Sequence, residues 1–126
     1  MKPLILFLTL STAAQAQQLD ALIDAMIQVE SHNNPTAVNQ KEAAFGVLQI
    51  RPIMISEINR ICRPCNFKHT DAFSRRKSIR MFKIWYYMNG FETFEQAARN
   101  WNGGHNGHSK SSTINYWNKV KSRLTP

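Results

Sequence analysis

The stretch LDALIDAMIQVESHNN, residues 19–34, carries the pattern that decides the fold. Its apolar side chains recur every three or four residues, which is the spacing of one helix face and predicts a helix over residues 19–31. The series continues to position 30, but the side chain there is Glu30. The turn-forming residues Asn34 and Pro35 follow, and they predict that the helix ends just after this carboxylate.

The chain has 126 residues and a formal net charge of +8. This length suits one small domain with a single hydrophobic core, and no internal repeat divides it. Positive charge concentrates anionic partners near a surface, so bacterial cell wall, anionic lipid and nucleic acid are the partners to consider, with solubility alone as the alternative. No recognition-helix pattern and no interleaving of aromatic and basic residues favours nucleic acid.

The first sixteen residues have the features of a secretory signal peptide. A basic start precedes the apolar run LILFLTL at residues 4–10, and the tripeptide AQA at residues 14–16 fits a small-x-small cleavage site. The run is too short to span a bilayer as a stable helix. We therefore expect cleavage near Ala16, a mature domain over residues 17–126, and a periplasmic or extracellular location. An ordinary N-terminal helix is the alternative.

The two cysteines of the chain are Cys62 and Cys65. In an exported protein this pair predicts a local disulfide. With His69 they also form a C-x2-C-x3-H cluster, but a structural zinc site needs four ligands and no fourth is evident, so zinc is the second interpretation and redox catalysis the third. His105 and His108 lie on a glycine-rich loop that is more typical of a solvated turn, and we predict no metal site and no cofactor.

Helical spacing recurs through most of the remaining sequence. The pair Asn89 and Gly90 predicts the C-terminal cap of one helix, and Thr93 with Gln96 forms a capping box that predicts the start of the next. Most aromatic side chains are assigned to the core. The sequence therefore predicts a single small, mainly α domain with one short β-like or irregular segment. That segment covers residues 36–50, and the helices after it run from Pro52 to just before Pro64 and over residues 71–88, 93–104 and 113–124.

Glu30 is the residue whose chemistry the first helix singles out. Burial raises the pKa of a carboxyl group, and the partial negative charge of a helix C-terminus acts in the same direction. A carboxylic acid that is still protonated near neutral pH can protonate the leaving oxygen when a glycosidic bond is cleaved. The alternatives are a frayed end residue in water or a partner for a lysine, and helix geometry alone favours those alternatives.

Four short motifs follow one another along the chain: ESHNNPTAV at residues 30–38, GVLQIRP at 46–52, AARNWNGG at 97–104 and TINYWNKV at 113–120. They resemble, in the same order, the E-S-x-x-N-P-x-A, G-L-M-Q-I-x-P, A-A-Y-N-x-G and E-T-x-x-Y-V-x-x-V motifs of soluble lytic transglycosylases. That family belongs to the goose-type lysozyme-like group. The motifs lie between residues 30 and 120 and so span most of the expected mature chain.

The resemblance implies a lysozyme-like α+β fold and an enzyme that acts on peptidoglycan. Its reaction would cleave the β-1,4 bond between N-acetylmuramic acid and N-acetylglucosamine with formation of a 1,6-anhydro ring. Glu30 would be the sole catalytic acid and later the base. The residues that would orient this acid or line the saccharide cleft are Ser31, Gln49, Ile50, Trp101, Asn102 and Tyr116.

The departures of the sequence from the family pattern include the following three. Trp101 stands where the family has Tyr, Ser112 stands where it has Glu, and the loop that ends at Gly46 reads QKEAAFG where a Gly-Ala pair is usual. A glycosidase with two carboxylates needs a second acid facing Glu30 across the sugar. Glu42 in this loop is the candidate, so a hydrolytic lysozyme (muramidase) acting on the same bond is the alternative.

The resemblance also implies partners. Glycan strands of peptidoglycan would be the substrate, and a secretion, conjugation or phage lysis apparatus is a candidate partner because small exported transglycosylases serve such machines. We expect a monomer. Two other classes stay open: a wall-binding module without turnover, and a membrane-active cationic polypeptide.

Overall fold

Five α-helices and one short hairpin make up the computed structural model, which describes residues 11–124. This confirms the predicted mainly α, lysozyme-like class. The helices are α1 (Thr12–Ser31), α2 (Pro52–Ile61), α3 (Arg75–Asn89), α4 (Phe94–Gly103) and α5 (Ile114–Ser122). The strands are β1 (Val38–Asn39) and β2 (Ala44–Phe45), and short 3-10 turns cover His69–Phe73, Gly107–Ser109 and Ser111–Thr113.

None of the helices found between residues 11 and 124 has the length and apolar character needed to cross a membrane.

Helix α1 is longer than the predicted helix. It begins at Thr12, and Ser11 caps it, because the Ser11 hydroxyl accepts a hydrogen bond from the Ala14 N–H at 3.2 Å. The predicted cleavage site at Ala16 lies within this helix, whereas the apolar run at residues 4–10 lies outside the described residues. The signal peptide therefore stays a prediction.

The turn predicted after α1 is present. His32 adopts left-handed backbone geometry (φ 53°) and its N–H donates to the Gln28 carbonyl oxygen at 3.0 Å, which ends the helix. The predicted hairpin alternative for residues 36–50 is also confirmed, because β1 and β2 pair in antiparallel fashion. Phe45 then pairs its backbone with Ile50, so the chain folds back once more into loop 46–51, the name used below for residues 46–51.

The helix predicted over residues 71–88 begins later than expected. Asp71 belongs to the preceding 3-10 turn, where its carboxylate accepts the Lys68 N–H at 2.8 Å. Ser74 is the residue that caps α3, since its hydroxyl accepts the Lys77 N–H at 3.2 Å. Both residue types are good caps, and the sequence alone did not distinguish them.

The other predicted helix ends agree closely with the structure. Gly90 follows α3 in left-handed geometry (φ 64°), and Thr93 caps α4 by accepting the Gln96 N–H at 3.1 Å. In a capping box the Gln96 side chain would accept the N–H of the cap residue Thr93. Here it accepts the N–H of Glu92, one residue before the cap. Helix α5 is shorter than the predicted 113–124 at both ends, since the 3-10 turn Ser111–Thr113 precedes it and the helix ends at Ser122.

The core lies where α1, α3 and α4 meet around loop 46–51. Leu22 and Met26 of α1 and Phe82 of α3 are fully buried. The Trp101 ring of α4 stands edge-on to Phe82 and to Trp85, with ring centroids 5.0 Å apart in each pair. This packing fixes the C-terminal end of α1, the place where Glu30 lies.

Cys62 and Cys65 form the predicted disulfide just after α2. Because both sulfur atoms are bonded to each other, the zinc interpretation is not supported. His69, the third member of that cluster, stacks on Phe45 with ring centroids 3.8 Å apart, and its Nε2 lies 2.7 Å from the Ile50 carbonyl oxygen. The histidine thus supports the hairpin and loop 46–51.

Candidate active site

Glu30 lies in the last turn of α1, beside loop 46–51. The residue keeps some solvent contact, but protein atoms crowd its carboxyl group and exclude most of the water. This burial raises the pKa of Glu30 from 4.5 to about 7, although the Tyr116 hydroxyl and the positive charge of Arg51 act in the opposite direction. Near neutral pH the protonated and ionised forms are therefore both populated.

Tyr116 reaches Glu30 from α5. Its hydroxyl oxygen is buried, and no well-aligned hydrogen bond to it is present within residues 11–124. It nevertheless interacts with the Glu30 carboxyl closely enough to lower that group's pKa. Burial first, and then the nearby Glu30, hold the pKa of Tyr116 well above its usual value, so the hydroxyl keeps its proton and can donate it to a carboxylate or a ligand.

Ser31 connects α1 to loop 46–51. Its hydroxyl is 2.8 Å from the Val47 carbonyl oxygen and 3.2 Å from that of Ile27, and it also accepts the Asn34 N–H at 3.3 Å. One hydroxyl therefore joins the helix end, the loop and the following turn. This arrangement holds the backbone next to Glu30 in place.

Gln49 and Ile50 lie within loop 46–51. Gln49 has left-handed geometry (φ 50°), and its Nε2 donates to the Gly46 carbonyl oxygen at 3.0 Å and to that of Ala37 at 3.4 Å. Its Oε1 makes no hydrogen bond to any described residue. Ile50 is fully buried, so its side chain is part of the core and contributes to the site by fixing the loop.

Trp101 attaches α4 to the same loop. Its ring is 2% exposed and its Nε1–H donates to the Leu48 carbonyl oxygen at 3.0 Å. Its own carbonyl oxygen accepts a bond from the Arg51 guanidinium at 3.0 Å. The neighbouring Asn102 is partly exposed, and its side chain has no hydrogen bond in the described part of the chain. Its amide is therefore available to a ligand.

The structure thus brings the predicted site residues together in two ways. The residues that contact loop 46–51 or lie in it are Ser31, Gln49, Ile50 and Trp101. Glu30 and Tyr116 interact with each other. No hydrogen bond links Asn102 to either group within residues 11–124.

Arg51 is a site residue that the sequence reasoning missed. Its guanidinium is anchored on Trp101, and its charge lowers the pKa of Glu30. The second motif leaves this position variable in the family pattern, so no motif indicated it.

A groove of about 460 Å³ is lined by Arg51 and Trp101 but not by Glu30. Its walls carry the aromatic rings of Trp85 and Phe91 and the amide of Asn89. Aromatic faces and amides are the groups that sugar-binding clefts use, because the first pack on the ring and the second bind hydroxyls.

Comparison with known proteins gives one match. The family model described as "Transglycosylase SLT domain" matches residues 8–123, which confirms the resemblance that the four motifs indicate. No curated protein and no solved structure matches the chain. Because the match covers almost the whole chain, the protein belongs to the SLT-domain transglycosylases, the lytic transglycosylase family that acts on peptidoglycan.

Proposed function

We propose that this protein cleaves the β-1,4 bond between N-acetylmuramic acid and N-acetylglucosamine with Glu30 as its only catalytic carboxyl group. The observation that supports this assignment most strongly is the environment of Glu30. Its carboxyl is crowded by protein, has a pKa of about 7, and lies next to a protonated tyrosine hydroxyl. An acid with this pKa can give up a proton and take one back at the same pH.

In the first step the protonated Glu30 donates its proton to the oxygen that bridges the two sugars. The bond from that oxygen to C1 of the muramic residue breaks, and the N-acetylglucosamine fragment leaves with a new hydroxyl group. The acetamido oxygen of the muramic residue stabilises the positive charge that develops at C1. The Tyr116 hydroxyl and Arg51 stabilise the Glu30 carboxylate that this step produces.

In the second step the Glu30 carboxylate removes the proton of the muramic 6-hydroxyl. The 6-oxygen then bonds to C1 and closes the 1,6-anhydro ring, and Glu30 returns to its protonated form. The two steps consume no water, so the masses of the two products sum to that of the substrate.

Two kinds of residue support this chemistry. Asn102 and the free Oε1 of Gln49 offer hydrogen-bonding groups to the sugar, and a sugar hydroxyl that is left unpaired in a cleft lowers affinity. Ser31, Ile50 and Trp101 act by holding loop 46–51 against the end of α1.

A hydrolytic reaction is the second candidate, because Glu42 lies near enough to Glu30 for its negative charge to raise the pKa of that group. A carboxylate there could activate a water molecule that attacks C1 in place of the 6-hydroxyl. Glu42 is exposed in its turn, and the backbone N–H of Glu42 donates to Asn39 Oδ1 at 3.3 Å.

Digestion of purified sacculi in ¹⁸O-labelled water distinguishes the two reactions. We expect muropeptides with a 1,6-anhydro end and without ¹⁸O, and hydrolysis would instead give reducing ends that carry the label. Glu30→Gln should abolish product formation, while Glu42→Gln and the exposed control Glu92→Gln should retain it. Labelled products that disappear in Glu42→Gln would favour the muramidase. Product release by Glu30→Gln at the wild-type rate would remove Glu30 from the mechanism.

We also propose export with cleavage near Ala16, since peptidoglycan lies outside the cytoplasmic membrane. Intact-mass measurement of the protein recovered from producing cells tests this: the mature chain should begin at Gln17. A chain that keeps residues 1–16 in the periplasmic or secreted fraction would contradict it.

A further inference from the structure

A second groove, of about 650 Å³, lies on the outer side of α3 next to the end of α2. None of the residues proposed for catalysis or sugar binding lines it. Its α3 wall runs from Arg76 to Met88, and the lining residues along it recur at helical intervals of three and four. Ile61 and the disulfide-bonded Cys62 form the opposite wall.

Helix α3 therefore has two apolar faces. The first contains Met81 and Phe82 and is buried in the core. The second begins at Ile84, which lines the groove and also packs partly against the core, and ends in Tyr87 and Met88, whose exposed fractions are 64% and 60%. Large apolar side chains that line a concave surface together indicate a binding surface.

The rim of the second groove is cationic. Arg63, Arg76, Arg80 and Lys83 line it, and no acidic side chain does. Lys83 pairs with Asp20 at 2.9 Å and the Arg80 guanidinium lies over the Phe67 ring, 5.6 Å from its centroid, whereas Arg63 and Arg76 have no ion-pair partner among the described residues. The groove thus presents apolar side chains along its length and largely uncompensated positive charge at its edges.

These features select one class of occupant. Saccharide clefts are lined by several amide, hydroxyl or carboxylate groups, whereas no Asn, Gln, Ser, Thr, Asp or Glu side chain lines this groove and Tyr87 supplies its only side-chain hydroxyl. A second copy of this chain would bring the same net charge of +8 and the same cationic rim. An amphipathic helix with an apolar stripe and acidic flanks matches both the floor and the rim.

We propose that this groove docks an acidic amphipathic helix of a partner protein. The α3 wall spans twelve residue steps, or roughly 18 Å at 1.5 Å per residue, so it accommodates about three turns of the partner. Apolar side chains of the partner at positions i, i+3, i+4 and i+7 lie on Ile79, Ile84 and Tyr87, and its acidic side chains face Arg76 and Arg80. The groove would place the enzyme on a protein scaffold without covering the Glu30 site.

Peptide selection on the intact, disulfide-bonded protein tests the proposal. A display library of random 16-residue peptides is selected for binding, and the enriched peptides are synthesised and titrated by fluorescence anisotropy. The groove variants are Tyr87→Ser and the double variant Arg76→Glu with Arg80→Glu. The matched control is Lys119→Glu with Lys121→Glu, which reverses two exposed charges on α5. Sacculus digestion and thermal melting verify that every variant is folded.

We expect the enriched peptides to combine Asp or Glu with apolar residues at helical spacing. Each groove variant should weaken their binding by about tenfold or more, as loss of a central anchor does, and the α5 control should leave it unchanged. Peptides without an acidic bias, or peptides that bind the groove variants as tightly as the wild type, would overturn the proposal. It would also be overturned if no peptide were enriched. Vesicles of phosphatidylglycerol and phosphatidylcholine that bound the wild type and not the groove variants would then show that the surface binds lipid.

Discussion

The hydrogen bonding of side chains differs between two regions of the molecule. One is the corner, the name used below for loop 46–51 together with Glu30, Ser31 and Trp101, and the other is the outer face of α3. At the corner, the side chains of Ser31, Gln49 and Trp101 all donate hydrogen bonds to backbone carbonyl oxygens. The nearby carboxyl group of Glu30 is largely shielded from water. On the outer face of α3, apolar and cationic groups lie side by side with few partners. The first arrangement holds loop 46–51 in one position beside Glu30, whereas the second leaves a surface that a partner can bind.

The strongest test of the rigid corner is Gly46→Ala. Gly46 has φ 79°, and a Cβ there would lie 1.8 Å from the Ala72 carbonyl oxygen, so the hairpin and the 3-10 turn would have to separate. We expect a loss of about 3 to 5 kcal/mol in the free energy of unfolding, measured by urea denaturation, from overpacking together with left-handed strain.

Gly90→Ala is the matched control for that change. Gly90 has a similar φ of 64°, but a Cβ there would meet nothing within 4 Å. Only the strain remains, so the loss should be about 1 to 2 kcal/mol. Equal losses at the two positions would show that loop 46–51 is not confined by its neighbours.

A second test concerns the buried acid. Glu30 ionises near pH 4.5 in the unfolded chain and near pH 7 in the folded protein, so the folded state binds this proton more tightly. Stability contributed by the raised pKa is therefore lost as the pH rises from about 4.5 to 7, by up to roughly 3 kcal/mol. Glu30→Gln cannot ionise and should be more stable than the wild type at pH 8, with the difference vanishing near pH 4.

Urea denaturation across this pH range measures that effect. Glu92→Gln is the control, because Glu92 is exposed and its substitution should leave the pH profile unchanged. If the profiles of the wild type and Glu30→Gln ran parallel, the carboxyl of Glu30 would be a solvated group and the proposed mechanism would lose its acid.

The third test removes one hydrogen bond from the corner. Trp101→Phe keeps an aromatic ring between Phe82 and Trp85 but deletes the donor to the Leu48 carbonyl oxygen. The loss of the bond and of some volume should cost about 2 kcal/mol in unfolding free energy and lower the rate of sacculus digestion. An unchanged rate together with lower stability would separate Trp101 from the positioning of the site.

The smallest effect is expected on the outer face of α3. Tyr87→Ser removes a ring that is 64% exposed and outside the core, so the unfolding free energy should change by no more than about 0.5 kcal/mol. Thermal melting and sacculus digestion should both match the wild type. A large destabilisation would mean that this face already packs within the protein and is not an open surface.

Local patterns predicted most of the fold. The apolar period gave α1, and the capping residues gave the end of α3 and the start of α4, because such signals act within a few residues of one another. The predicted start of α3 was wrong because Asp71 and Ser74 are both suitable cap residues. Asp71 is part of the 3-10 turn His69–Phe73, so Ser74 caps the helix. The resemblance named the site residues, but no local signal could show that the Trp101 Nε1–H would be used by Leu48, 53 positions earlier in the chain.

The outer groove was missed for a related reason. The run from Ile84 to Met88 is apolar on several sides of the helix, and assigning most aromatics to one core left no second face. Only the packing around Phe82 reveals which of these side chains remain in the open.

Helix α1 packs against the rest of the protein only along its later turns, and this bears on the maturation of the chain. Its first buried side chain is Leu19, and the residues from Thr12 to Gln18 are exposed apart from the half-buried Ala14. A peptidase acting after Ala16 would therefore remove mostly solvated turns and leave intact the buried contacts of the helix, which begin at Leu19. The precursor and its processed form would then share one folded body, and removal of the leader would need no later rearrangement at Glu30.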